Sequence, residues 1–127
     1  MVSLLLSMDM RKIFLVEDDP SIREILEIVL TSENYEVQSF STAHAFRQRN
    51  LQQNPDLYLF DVMLPDGSGI DLCSEIKEDI NNKDVPVIIM SAHAQLKQFS
   101  EICQPDNFIS KPFDIDNLLA RIKENLV

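Results

Sequence analysis

Three carboxylates, a hydroxyl and an amine each stand at the end of a short apolar run in this 127-residue chain. Glu17 and Asp18 follow Ile13 to Val16, Asp61 follows Leu57 to Phe60, Ser91 follows Val85 to Met90, and Lys111 comes soon after Phe108 and Ile109. Three unpaired carboxylates in one crevice are costly, since two like charges about 4 Å apart repel by about 4 kcal/mol at an effective dielectric near 20. Something positive must sit among them. Oxygen-only ligands favour Mg²⁺ or Mn²⁺, and an open carboxylate site that keeps several waters suits Mg²⁺ holding a phosphate. A carboxylate is also a nucleophile toward phosphorus, giving an aspartyl-phosphate. A metal, a lysine and a hydroxyl around the same phosphoryl group would supply the electrostatic stabilisation that such a transfer needs.

These residues meet only if the apolar runs are strands of one parallel sheet, where ligands bind in the crevice at the strands' carboxyl ends. Ile13-Phe-Leu-Val is continuous and apolar, as a strand covered on both faces requires. Asp19-Pro20 reads as an N-cap followed by proline at the first helical position, and Ile22, Ile25, Leu26, Val29 and Leu30 form one apolar stripe of a helix ending near 32–34. Val37 and Phe40 mark a second strand, and Ser41 can cap a helix carrying Ala43, Phe46 and Leu51. Leu57 to Phe60 is the third strand, and Pro65-Asp-Gly-Ser-Gly a turn in which both glycines supply cheap positive φ. Leu72, Ile76 and Ile80 define the next helix, and Val85 to Met90 the fourth strand. Leu96, Phe99 and Ile102 fit a short helix, Asn107-Phe-Ile a fifth strand, and Asp114 caps a last helix with Ile115, Leu118, Leu119 and Ile122 inward. Five alternations of strand and helix predict an α/β domain with a parallel sheet and helices on both faces.

Composition narrows the function classes. The formal charge of −10 would repel a nucleic-acid duplex, so direct nucleic acid contact by this domain is not expected. No apolar stretch approaches the roughly 18 to 20 residues that a membrane span needs, which predicts no membrane partner. Two cysteines, Cys73 and Cys103, suit a reducing cytoplasm and read as small apolar helix residues, not as a disulfide framework. Residues 1–10 hold an apolar trio without a basic flank, and read as a flexible lead before a domain over 11–127.

Four segments together carry a family resemblance. Leu15-Val-Glu-Asp-Asp-Pro-Ser-Ile-Arg, Phe60-Asp-Val-Met-Leu-Pro-Asp-Gly-Ser-Gly, Val87-Ile-Ile-Met-Ser-Ala and Phe108-Ile-Ser-Lys-Pro-Phe resemble the receiver domain of two-component response regulators, in order and over roughly residues 11–126. The resemblance implies a flavodoxin-like, doubly wound five-stranded sheet of order 2-1-3-4-5. It implies that Asp61 is the phosphoacceptor, that Asp18 binds Mg²⁺ directly with Glu17 assisting, and that the backbone carbonyl of Met63 completes the protein ligands. Ser91 then corresponds to the family's phosphoryl-sensing hydroxyl, Lys111 to its phosphate-pairing lysine, whose bond to Pro112 is usually cis, and Phe108 to its switch aromatic. Implied partners are a sensor histidine kinase or phosphotransfer protein and an output partner of unknown kind, with a homodimer also compatible.

The chain departs from the family pattern between Ser91 and Lys111, which is slightly short and carries Gln104-Pro105 where a small Gly-Ala pair is usual. By the same resemblance Met63 and His93 stand where the family tunes the phosphoryl lifetime, and Met63 cannot hold an attacking water by hydrogen bonding, which predicts slow self-dephosphorylation. Taken singly the residues have duller explanations: an Asp after a strand is a turn former, a Ser a helix cap, a Lys a solvated surface group. A degenerate receiver that only binds proteins is countered by the complete set of acids, hydroxyl and lysine. A metal-dependent phosphohydrolase would want an acid where Met63 stands, and a flavin-binding module would be repelled by Glu17-Asp-Asp-Pro.

Overall fold

The computed structural model describes residues 10–92, 103 and 105–126. The five apolar runs form a parallel sheet in which every internal strand is buried on both faces. Its strands are β1 (Lys12–Val16), β2 (Glu36–Phe40), β3 (Leu57–Asp61), β6 (Val87–Ser91) and β7 (Asn107–Ser110), with Met63–Leu64 (β4) and Gly67–Ser68 (β5) forming a separate antiparallel hairpin. The order is β2-β1-β3-β6-β7, which is the expected 2-1-3-4-5 once the hairpin is set aside. Side chains alternate across the sheet, as the period of two demands.

Phe14, Val16, Tyr58, Phe60, Val87 and Ile89 face one layer, where they pack on Ala43 and Phe46 of α2 (Ala43–Arg47) and on Ile70, Cys73 and Ile76 of α3 (Gly69–Glu78). Ile13, Leu15, Leu57, Leu59, Ile88 and Met90 face the other, against Leu26 and Leu30 of α1 (Pro20–Ser32) and Leu118 and Ile122 of α4 (Ile115–Asn125). The first layer is rich in aromatic rings: Phe46 meets Phe40, Tyr58 and Phe60 edge-on at centroid distances of 5.2 to 5.9 Å.

Helix starts follow the sequence closely. Asp19 caps α1 through bonds from the Ser21 and Ile22 amides, and Asp114 caps α4 through the Asp116 amide. The α1 helix ends with Asn34 at φ 68°, a left-handed position that asparagine tolerates. The second helix starts one residue later than expected, because Thr42, not Ser41, accepts from the Ala45 amide. It is also shorter: it ends at Arg47, the Asn50 side chain turns the chain by accepting from the Gln52 amide, and Leu51 is left exposed. Ile80 likewise lies outside the core, since Asp79 leaves α3 with extended backbone and spends its carboxylate on Asn81 and Asn82.

Two further expectations are corrected. Neither glycine has positive φ. At Gly69 the requirement is space, because a Cβ there would strike the Asp61 carbonyl oxygen and lie 2.9 Å from its carbon. Both cysteines are buried, but Cys73 alone of the two stands on a helix, α3, while Cys103 sits in irregular backbone, and they are joined by a disulfide across a Cα separation of 6.1 Å, inside the span such a bond requires. Sequence separation of 30 residues hid the pairing. The lead over residues 1–9, the helix expected around Leu96, Phe99 and Ile102, and His93 and Gln104 lie outside the described residues. Among the described residues, no helix is long and apolar enough to cross a membrane.

Candidate phosphoryl and cation site

Strand ends create the site. The carboxyl ends of β1, β3, β6 and β7 open together on a cleft of about 260 Å³ lined by Glu17, Asp18, Asp61, Met63, Ser91 and Lys111, with Asp19, Ile22, Val62 and Ala92 around them. Register explains the meeting: Val16 pairs with Phe60, Asp61 with Met90, and Ser91 with Ser110, so the residues that follow each strand emerge side by side. The amide of Lys111 donates to the Ser91 carbonyl at 2.8 Å, which fixes where the lysine leaves β7. The Lys111–Pro112 peptide bond is cis.

Within the cleft, one carboxylate oxygen from each of Glu17, Asp18 and Asp61 lies within 4.8 Å of the others. Glu17 and Asp61 are buried, whereas Asp18 is exposed. Lys111 Nζ bridges the buried pair, 2.6 Å from Glu17 Oε1 and 3.2 Å from Asp61 Oδ1. Burial pushes the Glu17 carboxyl up to about 7, against the lowering effect of the Lys111 hydrogen bond and with help from the Asp61 charge. Burial raises Asp61 as well, although Lys111 opposes it. Burial alone would lower the Lys111 ammonium; the hydrogen bond to Glu17 and the Asp61 charge outweigh it and hold the amine protonated.

Two buried acids that desolvation drives toward neutrality, with one ammonium shared between them, mark a place suited to added positive charge. The donor set is all oxygen, partly open and three carboxylates strong, which fits a Mg²⁺ site. The Glu17, Asp18 and Asp61 carboxylates are the group disposed to hold such an ion.

A family model for the response regulator receiver domain matches residues 13–123. The chain belongs to the response regulator receiver family. This receiver domain is 35% identical over 116 residues to response regulator ArlR of Staphylococcus epidermidis, covering 90% of this chain and 52% of that protein. It is 36% identical over 115 residues to transcriptional regulatory protein GltR of Pseudomonas aeruginosa, covering 89% and 48%. The chain thus spans about half the length of the curated relatives it matches. Among solved structures it is similar to a response regulator from Chloroflexus aurantiacus, with a TM-score of 0.86 and 26% identity over 93% of this chain and 98% of that one. It is similar also to TrrA of Thermotoga maritima in complex with Mg²⁺-BeF, at a TM-score of 0.81 and 28% identity over 92% and 100%.

Among the described residues, this receiver domain brings Glu17, Asp18, Asp61, Met63, Ser91 and Lys111 together in the cleft. Phe108 does not line the cleft; it is half-buried, opposite Ile89 in register, against the aromatic layer. His93 lies outside the described residues.

Sequence reading missed the supports. Besides capping α1 as expected, Asp19 donates its amide to Glu17 Oε2 at 3.2 Å. Arg23 Nη1 donates to the main-chain carbonyls of Glu17 at 2.9 Å and Asp18 at 3.3 Å. Asp66 accepts from the Ala43 and His44 amides, tying the β4–β5 hairpin to the start of α2. The offset of five between Asp18 and Arg23, one helical turn past a capping Asp, was the one available signal, and surface arginines are too common for it to stand out.

Proposed function

We propose that this receiver domain accepts a phosphoryl group on Asp61 from the phosphohistidine of a sensor histidine kinase or phosphotransfer protein, and signals by the repacking that follows. The observation that carries the assignment is the buried carboxylate of Asp61 with Lys111 Nζ at 3.2 Å and the Glu17 and Asp18 carboxylates beside it. An Asp61 carboxylate oxygen attacks phosphorus, the new P–O bond forms as the P–N bond breaks, and the imidazole nitrogen leaves with the bonding pair. Lys111 pairs with a phosphoryl oxygen and holds the acceptor's position through its ion pair. Ser91, at the end of β6, brings a hydroxyl-bearing side chain to the lining of the same cleft. When bound by Asp18, Asp61 and the Met63 carbonyl, with Glu17 supporting, a divalent cation supplies neutralisation of the charge on the transferring oxygens.

The response is a shift between two packings of Ser91 and Phe108, which requires the phosphorylated site to favour one of them. Met63 and His93 set the lifetime of the phosphoryl group. Chemistry is confined to the domain's own phosphorylation and dephosphorylation, in the cytoplasm, with Mg²⁺ preferred and Mn²⁺ able to substitute. The output partner is another protein surface or domain, and a homodimer is one form it can take.

Incubation with acetyl phosphate and Mg²⁺ followed by intact mass tests this reading. Wild type is expected to gain the mass of one phosphoryl group, Asp61→Asn and chelator-treated wild type none. A gain in Asp61→Asn equal to wild type would overturn it.

A further inference from the structure

Arg23 is placed where simple electrostatics disfavours it. It is the fourth residue of α1, near the positive end of the helix dipole, and it lies behind a cluster read as a cation site. Something must offset both effects, and its hydrogen bonds show what. Nη1 donates at once to the carbonyl oxygens of Glu17 and Asp18, while the side chain itself stays outside the cleft. Other bonds hold the loop too: the Glu17 amide donates to the Phe40 carbonyl, the Asp19 amide to Glu17 Oε2, and the Arg23 amide to the Asp19 carbonyl, while Lys111 Nζ pairs with Glu17 Oε1. Between those points, the peptide planes that aim the Glu17 and Asp18 side chains have the guanidinium as their shared anchor.

We infer that Arg23 is a positioning residue for the cation site, setting the direction from which the Glu17 and Asp18 carboxylates enter the cleft. The inference rests on the reading of Glu17, Asp18 and Asp61 as the cation-holding trio. Its prediction has a sign that a bystander arginine does not share. Removing a positive charge from the neighbourhood of a cation site strengthens cation binding by electrostatics alone. Losing the support of the ligands weakens it, by about tenfold or more where such partners have been removed from metal sites. A lysine keeps the charge but lacks the planar fork, so it restores the support only in part.

Isothermal titration of Mg²⁺ into the full chain, with thermal melts in the absence of metal alongside, decides the matter. Arg23→Ala is expected to bind Mg²⁺ about tenfold more weakly than wild type, with Arg23→Lys between the two. Arg23→Ala binding as tightly as wild type, or more tightly, would overturn the inference whatever the melts show. Should Arg23→Ala not fold, Arg23→Gln is read by the same rule. Failure of the wild type itself to bind Mg²⁺ would instead overturn the reading of the acidic trio, and the positioning role with it.

Discussion

Asp61 is an acid kept where acids are uncomfortable. Its burial raises the proton affinity of a group that must be ionised to attack phosphorus, and Lys111 at 3.2 Å limits the rise. The same lysine lies 2.6 Å from Glu17, so a single ammonium is divided between two buried carboxyls. Ionised acceptors and added positive charge therefore favour one another at this site. Met63 lies at its rim with most of its surface exposed, and its thioether is too weak an acceptor to orient a water for attack on the phosphoryl group. Met63→Asn is expected to hasten decay of the phosphorylated protein, followed as loss of the phosphoryl mass after donor removal; an unchanged decay rate would show that Met63 has no part in the lifetime.

At the scale of elements, two close contacts hold the hairpin and α3 against the end of β3. Gly69 begins α3 directly against the main chain of Asp61, and its amide donates to the Val62 carbonyl at 2.9 Å. Gly69→Ala must push either the helix or the acceptor strand, at a cost of about 1 to 3 kcal/mol. A lower urea midpoint accompanied by slower phosphorylation by acetyl phosphate is the expected outcome, and a variant matching wild type in both would contradict the packing described. Asp66 anchors the other side of the hairpin. The His44 and Ala43 amides hold its carboxyl below the ordinary value of 3.8, so the folded state favours the ionised form. Its stabilisation is present in full above the unfolded-state pKa and is lost as pH falls through the lower folded-state value. Asp66→Ala should thus melt below wild type at pH 7, with the gap closing toward pH 3; a gap independent of pH would argue against the carboxylate's role.

These elements also show how far the sequence could be read. Strands announced themselves because Ile13 to Val16, Leu57 to Phe60 and Val87 to Met90 are buried on both faces and so carry no polar interruption. Because such strands fix their successors, Glu17, Asp61, Ser91 and Lys111 could be placed in one crevice from sequence alone. Helix ends were less legible. Leu51 and Ile80 extend an apolar period that the backbone has already left, because Asn50 and Asp79 compete for amides with the helix. Gly69 was read as a turn former when its role is close approach, and Arg23 gave no sign of its backbone partners until the loop was folded.

Across the whole molecule, the Cys73–Cys103 bond links α3 to the segment entering β7, within the same layer as Phe60 and Phe108. Closing a loop over 30 residues restricts the unfolded chain by about 3.5 kcal/mol in the chain-entropy account. In the reducing cytoplasm proposed for this domain, the two thiols would be kept reduced and the bond would form on oxidation. Melts with and without dithiothreitol should therefore differ for wild type and coincide for Cys73→Ser, and a wild type indifferent to reductant would show that the bond contributes nothing to stability.

The central claim is that phosphorus is received at one carboxylate of the Glu17, Asp18 and Asp61 cluster. Reduction of the phosphorylated protein with borohydride converts an aspartyl phosphate into homoserine, and peptide mapping by mass spectrometry then names the residue. The account predicts homoserine at position 61 alone, dependent on Mg²⁺ during phosphorylation. Homoserine at position 18, 2-amino-5-hydroxypentanoic acid at position 17 (the product a glutamyl phosphate would give), or a phosphorylated protein that yields neither alcohol would contradict it.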